Sequence, residues 1–244
     1  MDLKEFFRQH PKAAIAFSGG VDSSYLLYAA LQCGADVRAY YVKGAFQPQF
    51  ELDDAQRLAR DIHAPMTVLR ADVLRDETVT ANPANRCYYC KKVVFSSIAQ
   101  AALADGYTLL LDGTNASDDA GDRPGMRALQ ELQVLSPLRL CGLTKPEIRR
   151  LSKEARLFTW DKPAYACLAT RIPTGEKITA EKLSATESAE GELFAMGFTD
   201  FRVRWYAGAA RLQFPAVQLP RVLERREEIL TKLKKYYPAV LLDL

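Results

Sequence analysis

The chain has 244 residues, of which 48% are hydrophobic and 26% are charged, and its formal net charge at pH 7 is +3. This balance is typical of a globular protein of one large or two small domains, and the charge is too small to indicate a nucleic-acid partner. Residues 1–10 lack the apolar centre of a secretion signal, and no apolar run approaches the ~20 residues that span a bilayer. We therefore expect a cytoplasmic protein without membrane segments.

Strand-like and helix-like segments alternate through the first two-thirds of the chain. The β-rich runs are 13–17, 37–42, 66–70 and 108–111, and the helical patterns are 22–33, 51–63, 87–104 and 144–156, the last opening with a capping-box pattern at Thr144 and Glu147. This alternation predicts an α/β fold with a parallel sheet flanked by helices. Ligands bind such sheets beyond the carboxyl ends of the strands, where the loops 18–23, 43–49 and 113–125 lie.

The pattern changes after a loop rich in Pro and Gly at 164–175. A helical segment at 181–196 is followed by paired β-rich runs at 201–206 and 210–214, a single helix over 222–237 and a short strand at 240–244. This order predicts a small α+β domain. We therefore divide the chain into a domain of residues 1–163 and a domain of residues 164–244.

A glycine loop follows the first predicted strand and reads SGGVDS from Ser18 to Ser23. Its two glycines let the backbone approach an anion closely, and the N–H groups of the following helix start point at that anion. The loop therefore predicts a phosphate site, with Asp22 binding Mg²⁺ or capping the helix. It has neither the lysine of a Walker loop nor the spacing of the dinucleotide fingerprint. The alternative is a tight turn that binds nothing.

Five cysteines, an odd number in a reducing compartment, argue against a disulfide framework. Cys87 and Cys90 are three positions apart at a helix start, and Cys167 lies in a loop as a third thiol. Three thiolates favour an iron–sulfur cluster with one open iron, but zinc with His63 as a fourth ligand and plain core burial stay open. The two remaining thiols, Cys33 and Cys141, are expected to be structural. Cys33 is expected to be a core thiol of an apolar helix.

Several strings, taken together, point to one family: 18–23, 85–92 (NRCYYCKK), 112–115 with 122–125, 166–175 (ACLATRIPTG) and 201–204 (FRVR). Together they resemble the LarE family of ATP-dependent sulfur transferases, within the PP-loop ATP pyrophosphatases, and the resemblance covers nearly the whole chain. It implies an adenine nucleotide α-hydrolase-like fold, ATP and Mg²⁺ as cofactors, and a reaction that forms AMP and pyrophosphate. Members assemble as hexamers, so a homo-oligomer is expected.

The resemblance also implies a small-molecule nucleotide substrate. Members adenylate the carboxylates of pyridinium-3,5-biscarboxylic acid mononucleotide and convert them to thiocarboxylates, in the synthesis of the nickel-pincer cofactor of lactate racemase. In some members a cysteine at the position of Cys167 gives up its own sulfur and becomes dehydroalanine. In others three cysteines hold a 4Fe–4S cluster that carries an extra sulfide. The presence of Cys87 and Cys90 beside Cys167 resembles the cluster type.

Residue by residue, the resemblance implies the following roles. Cys167 and Asp22 are the catalytic residues. The ATP contacts are Ala16, Phe17, Ser18, Gly19, Gly20, Asp22, Ser23, Gly113, Asp119 and Arg123. The substrate contacts are Lys91, Arg171, Glu190, Arg202 and Arg204, of which the last two share a strand face that suits a phosphate dianion. The family often has an acid two residues after Arg211, where this chain has Gln213, and this weakens any metal site at that position.

Three other functions stay open at this point. A tRNA thiolase shares the PP-loop and often a three-cysteine cluster, but it typically carries an RNA-binding module with a strongly basic face. An ATP-dependent amide synthase would use ammonia and leave the three cysteines without a role. A nucleotide-binding regulator with a structural metal would form no AMP and pyrophosphate.

Overall fold

A computed structural model describes residues 1–118 and 124–243 of the chain. The chain forms two compact units, the first of Met1–Val73 and Asn85–Lys162 and the second of Leu74–Ala84 and Pro163–Leu244. The division into folding domains at 163/164 stays a prediction. No helix within the described ranges is long and apolar enough to cross a membrane.

The elements follow in chain order. The strands are β1 (Lys12–Ala16), β2 (Asp36–Lys43), β3 (Met66–Arg70), β4 (Leu110–Leu111), β5 (Arg202–Tyr206), β6 (Ala209–Gln213) and β7 (Val240–Leu242). The helices are α1 (Leu3–Gln9), α2 (Val21–Gln32), α3 (Gln49–Asp61), α4 (Glu77–Thr80), α5 (Arg86–Ala104), α6 (Pro124–Glu131), α7 (Pro137–Leu140), α8 (Lys145–Glu154), α9 (Ala180–Ala195), α10 (Leu219–Glu224) and α11 (Arg226–Leu233).

The first unit contains a parallel sheet with the strand order β3-β2-β1-β4. Its central strand β1 is an apolar run, as expected of a strand covered on both faces. The chain runs from β1 outward to β2 and β3 on one side and then returns to place β4 on the other side of β1. A crevice opens beyond the carboxyl ends of strands where the order reverses, here between β1 and β4.

Helices cover both faces of this sheet, which confirms the predicted α/β fold. Because side chains alternate along a strand, Ile15 and Ala14 of β1 enter different clusters. Ile15 packs in a core with Leu26 of α2, whereas Ala14 packs in another core with Phe95 and Ile98 of α5. The loop after β1 therefore lies between two packed layers, which fix its position.

The second unit contains the small C-terminal sheet that the sequence predicts. β5 and β6 form an antiparallel hairpin around Ala207 and Gly208, whose φ angles of +47° and +85° match a tight two-residue turn. β7 pairs with β6 in parallel. Helix α9 packs on this sheet through a core that includes Leu193 and Val203.

The segment Leu74–Ala84 belongs to the second unit, although it lies far from it in sequence. Asn82 Nδ2 donates to the carbonyls of Pro173 at 2.7 Å and Glu176 at 3.2 Å, and the N–H of Gly175 donates to the Asn82 carbonyl at 2.8 Å. The segment is thus bonded to the stretch that follows the Cys167 loop.

The single helix expected over 222–237 is wrong. Two helices, α10 and α11, meet at Arg225, whose backbone (φ −100°, ψ 17°) leaves the helical region. The Arg225 side chain donates to the Met196 carbonyl at 2.7 Å, which ties the break to the end of α9. The apolar pattern runs through the break because Val222 and Ile229 enter the same core.

The expectation that Cys33 is a core thiol is also wrong, because its side chain is exposed. Helix α2 ends at Gln32, and Cys33 is its C-cap. Gly34 follows with a φ of +75° and turns the chain back toward β2. Cys141 does pack against the first core, and burial raises the pKa of its thiol, which agrees with a structural role.

Candidate functional site

The glycine loop joins β1 to α2 at the point where the strand order reverses. Gly19 has a φ of +74°, and a Cβ there would lie 3.0 Å from the Cβ of Ala55, so a larger residue would be strained. Gly20 is the N-cap of α2 and, having no side chain, leaves the first N–H groups of that helix without a side-chain cap. These groups and the helix dipole favour an anion, which fits the phosphates of ATP.

Two hydroxyl groups brace this loop. Ser18 Oγ and Ser23 Oγ lie 3.0 Å apart, and the N–H of Gly20 donates to Ser18 Oγ at 3.3 Å. Ser18 is exposed and Ser23 is buried, so a ligand reaches the first hydroxyl more readily.

Ala16 and Phe17 lead into the loop. Ala16 is the last residue of β1, and Phe17 continues the ladder through its N–H, which donates to the Tyr40 carbonyl at 2.9 Å. The Phe17 side chain belongs to the core of the first unit. The structure therefore gives both residues a part in holding the loop, and a contact to ATP stays a prediction.

Asp22, in the first turn of α2, has one satisfied and one unsatisfied oxygen. Its Oδ2 accepts from Lys145 Nζ at 2.5 Å, whereas its Oδ1 is buried and has no hydrogen-bond partner within the described residues. Burial raises the pKa of Asp22, and the bond to Lys145 opposes that rise. A buried, unsatisfied carboxylate oxygen beside a phosphate loop is a suitable ligand for Mg²⁺.

Lys145 is the site residue that the sequence reasoning missed. The sequence pattern at this point indicates only the capping box, which the structure contains: Thr144 is the N-cap and Glu147 bonds back to it. The Lys145 N–H donates to Ser117 Oγ at 2.9 Å, which fixes this helix start beside the loop after β4. A cation in the first turn of a helix is unfavourable because it opposes the helix dipole. This unfavourable placement of Lys145 is the feature of the sequence that indicates a role beyond the helix.

The loop after β4 closes the other side of the crevice. A Cβ on Gly113 would lie 2.8 Å from the backbone N of Ser23, so this glycine allows the loop to rest directly on the start of α2. Asp112 is buried and accepts from the hydroxyls of Thr114 at 2.5 Å and Ser136 at 2.6 Å. Gly113 therefore shapes the cradle rather than offering a side chain to the nucleotide.

Cys87 and Cys90 lie in the first turns of α5, on one side of the helix as their spacing predicts. Cys87 is exposed and Cys90 is half-buried, so core burial does not explain them. Lys91 follows on the same helix. A Cβ added to Gly125 would lie 3.2 Å from the Cδ of Lys91, so the Lys91 side chain lies across the start of α6.

Metal ligands are not assembled within the described residues. No group of three His, Cys, Asp or Glu side chains in 1–118 and 124–243 is able to hold a metal ion. Cys87 and Cys90 belong to the first unit and Cys167 to the second. The three cysteines of the predicted 4Fe–4S cluster thus come from different units, and the cluster stays a prediction. Asp119 and Arg123 lie outside the described residues.

Cys167 lies at the start of a short 3-10 turn, Leu168–Arg171, in the second unit. Its carbonyl accepts from the N–H of Thr170 at 2.9 Å and from the Thr170 hydroxyl at 2.8 Å. The Cys167 side chain is half-buried. The turn thus holds the peptide of a cysteine that is not fully buried.

Arg171 and Glu190 form a buried ion pair, with side chains only 1% and 2% exposed. Arg171 Nε donates to Glu190 Oε1 at 2.8 Å, and the same oxygen accepts from the N–H of Val203 at 3.0 Å. Tyr165 donates its hydroxyl to the other oxygen, and burial beside this carboxylate raises the pKa of Tyr165. Both side chains of the pair thus bond to other residues of the same unit, and their contact with substrate stays a prediction.

Arg202 and Arg204 lie on the same face of β5, as predicted, and both reach the Cys167 loop. Arg202 Nη2 donates to the Ala164 carbonyl at 2.6 Å, and Arg204 Nη1 donates to the Thr170 carbonyl at 2.8 Å. Guanidinium groups carry five N–H donors, so these bonds leave each side chain able to bind an anion as well.

The surroundings of Arg204 are electropositive. Burial and the nearby charges of Arg171, Arg211 and Arg202 lower the pKa of Arg204. An anion at this point would relieve that repulsion, which suits a phosphate group.

Gln213 is bonded to Arg204, and its Nε2 donates to Asp243 Oδ2 at 2.5 Å. Position 213 therefore holds Arg204 in place, and the amide offers no carboxylate to a metal.

The chain is similar to curated proteins over most of its length. It is 36% identical over 225 residues to an uncharacterised protein of Synechocystis sp., covering 91% of this chain and 84% of that protein. It is 30% identical over 236 residues to the pyridinium-3,5-bisthiocarboxylic acid mononucleotide synthase of Lactiplantibacillus plantarum, covering 96% of this chain and 86% of that enzyme.

More distant similarity extends to RNA-modifying enzymes. A tRNA-specific 2-thiouridylase of Thermotoga neapolitana is 25% identical over 189 residues, covering 59% of this chain and 52% of that enzyme. No protein-family model matches the chain.

Proposed function

Because the chain belongs to the LarE family of ATP-dependent sulfur transferases, we propose that it converts the carboxylates of pyridinium-3,5-biscarboxylic acid mononucleotide to thiocarboxylates. The observation that carries this proposal is the crevice between β1 and β4. There an uncapped helix start and the unsatisfied oxygen of Asp22 face a loop shaped by Gly19 and Gly113. This combination suits ATP with a divalent cation and supports adenylation.

The first step activates the substrate. A carboxylate oxygen attacks the α-phosphorus of ATP, the bond from that phosphorus to the bridging oxygen breaks, and pyrophosphate leaves. Mg²⁺, when bound, neutralises charge that develops on the departing phosphates. Asp22 Oδ1 would hold the cation, and Ser18 would donate to a phosphate oxygen. The resulting acyl-adenylate carries AMP as a good leaving group.

The second step brings in sulfur through Cys167. Its thiolate attacks the acyl carbon, AMP leaves, and a thioester forms. Loss of the cysteine Cα proton then breaks the Cβ–S bond, so the thiocarboxylate leaves and residue 167 becomes dehydroalanine. These steps use only the residues of the chain. A cluster on Cys87, Cys90 and Cys167 would instead supply sulfide and leave Cys167 intact.

The substrate phosphate is proposed to bind at Arg202 and Arg204. The electropositive surroundings of Arg204 support this assignment, since a dianion would offset the repulsion among the neighbouring guanidiniums. Arg202→Ala is expected to raise the substrate concentration that gives half of the maximal single-turnover rate about tenfold, and to leave the corresponding ATP concentration near its parent value. Equal effects on both concentrations would place the phosphate elsewhere.

The experiment that tests the function incubates the protein with ATP, Mg²⁺ and the biscarboxylate, and follows AMP, pyrophosphate and thiocarboxylate. All three products are expected, and Asp22→Asn should abolish them. The mass of the protein after turnover separates the sulfur sources: loss of one H₂S at Cys167 shows that the cysteine gave its sulfur, and an unchanged mass favours a sulfide source. Cys33→Ser is the matched control, because Cys33 is an exposed thiol outside the crevice. AMP formation without thiocarboxylate would overturn the proposal.

A tRNA thiolase is the rival function, favoured by the similarity to 2-thiouridylases. That similarity covers 59% of the chain, whereas the similarity to the mononucleotide synthase covers 96%. A gel-shift assay at moderate salt is expected to show no tRNA complex. ATP-dependent thiolation of tRNA by the protein would support the rival.

A further inference from the structure

Arg171 is linked to the backbone of Cys167 through a single hydroxyl group. Its Nη1 donates to Thr170 Oγ1 at 2.9 Å and to the Ala166 carbonyl at 3.2 Å. The Thr170 hydroxyl in turn donates to the Cys167 carbonyl at 2.8 Å. The guanidinium therefore restrains the residues on both sides of Cys167.

Glu190 fixes Arg171 in this position. The two side chains are 1% and 2% exposed, and the carboxylate also accepts from the N–H of Val203 on β5 and the hydroxyl of Tyr165. The ring of Tyr165 lies under the guanidinium, 4.6 Å from its carbon to the ring centroid. Charge-assisted bonds of this kind are strong, so the pair connects the Cys167 turn rigidly to α9 and β5.

We infer that Arg171 and Thr170 are positioning residues that orient the thiol of Cys167, and that Arg171 is not a substrate contact. A guanidinium so deeply buried and engaged with a carboxylate, a carbonyl and a hydroxyl of its own unit is poorly placed to meet a substrate. This inference rests on the proposed role of Cys167 in sulfur transfer.

The reason for such a device is geometric. Attack on an acyl carbon requires the sulfur to approach along a narrow range of directions, and a displacement near 1 Å lowers the rate markedly. The orientation of the Cys167 peptide sets the direction of its side chain. A loosened turn therefore exposes the thiol more often to a small reagent, and it also makes productive attack rarer.

The test uses Thr170→Val, which removes the linking hydroxyl and nearly preserves the volume. Iodoacetamide labelling of Cys167, followed by peptide mass spectrometry, is expected to become five- to tenfold faster, as befits the loss of about one hydrogen bond. The exposed thiol of Cys33 serves as the internal reference. In the full reaction the single-turnover rate constant of thiocarboxylate formation is expected to fall about tenfold, while the ATP concentration that gives half of the maximal rate stays unchanged.

Two further variants act as controls. Thr170→Ser keeps the hydroxyl and is expected to restore the labelling rate and the single-turnover rate constant of the parent. Thr231→Val removes a hydroxyl that donates to the Glu227 carbonyl at 2.8 Å on an exposed helix of the same unit, so it should change neither value. If Thr170→Val does not fold, Tyr165→Phe loosens the network by removing a bond to Glu190, and it is expected to accelerate labelling about twofold.

A parent-like labelling rate in Thr170→Val, or an equal acceleration in Thr170→Ser, would overturn the inference. Labelling uses neither ATP nor substrate, so it is independent of the proposed reaction. If the parent protein forms no thiocarboxylate, the proposed function fails while the comparison of labelling rates still decides whether Thr170 restrains Cys167. If the parent turns over and labelling does not respond to Thr170→Val, only the positioning role fails.

Discussion

Removing the charge of Glu190 is expected to destabilise the second unit strongly. In Glu190→Gln, one carbonyl oxygen must replace two carboxylate oxygens that accept from Arg171, Tyr165 and Val203. Arg171 then keeps its charge at 1% exposure without a counter-ion. Breaking a buried pair in this way costs about 3–5 kcal/mol of unfolding free energy.

That loss is measurable by thermal unfolding. In a chain of this size each kcal/mol lowers Tm by about 2–4 °C, so the expected drop is about 6–20 °C. Glu192→Gln is the matched control on the same helix: it removes a bond of 2.6 Å to Lys232, at side-chain exposures of 20% and 29%. Because that pair is reached by solvent, Tm should stay close to its parent value.

A double variant separates the pair from its surroundings. Arg171→Met combined with Glu190→Leu removes both charges and fills the space with apolar atoms, so it is expected to be more stable than Glu190→Leu alone. A Tm for Glu190→Gln within 2 °C of the parent would refute the reasoning, since it would mean that solvent reaches the Arg171 guanidinium.

Lys145→Met is expected to raise the pKa of Asp22 further, because the bond and charge of Lys145 oppose the effect of burial. Mg²⁺ needs the ionised carboxylate, so on lowering the pH the rate of AMP formation should decline at a higher pH in the variant than in the parent. A pH–rate profile whose acidic side is the same in both proteins would contradict this. The raised pKa of Asp22 means that its carboxyl stabilises the fold at low pH and that this stabilisation is lost as pH rises through that pKa. The free energy of unfolding, measured by denaturation at several pH values, should show this decline in the parent protein and not in Asp22→Asn. Gly113→Ala is expected to weaken ATP binding about tenfold in calorimetry, because its Cβ would lie 2.8 Å from the backbone of Ser23, whereas Gly191→Ala, where a Cβ meets nothing within 4 Å, should bind ATP normally.

The sequence predicts the four strands of the first unit because each strand is a local signal, whereas it does not predict the helices α1, α6 and α7. The run of alanines and isoleucine in β1 has no polar residue, and its short length before two glycines favours a buried strand. The break at Arg225 had no such signal, because Val222 and Ile229 keep a helical apolar period across it. Arg225, at the break, bonds to Met196, a residue distant in sequence, and periodicity carries no information about such a contact.

The same distinction applies to the candidate site. The glycine loop is contiguous, so its residues could be assigned from one string. Asp22 and Lys145 are 123 positions apart, and nothing in either local string indicates that their side chains meet. The segment that contains Asn82 joins the second unit through equally long-range bonds. Contacts of this kind arise from topology, which a single sequence specifies only indirectly.

The charged residues of the second unit show why residue type alone could not assign their roles. Arg171, Arg202 and Arg204 look equivalent in sequence, but Arg171 forms a buried ion pair with Glu190, whereas Arg202 lies 3.6 Å from the exposed Asp200. Burial, and after it the charges of the neighbouring guanidiniums, lower the pKa of Arg204. A fold tolerates such a cluster of like charges where a ligand supplies the opposite sign. In the proposed function the buried pair and the electropositive face would therefore divide two tasks: the pair would orient Cys167, and the face would bind the anionic end of the substrate.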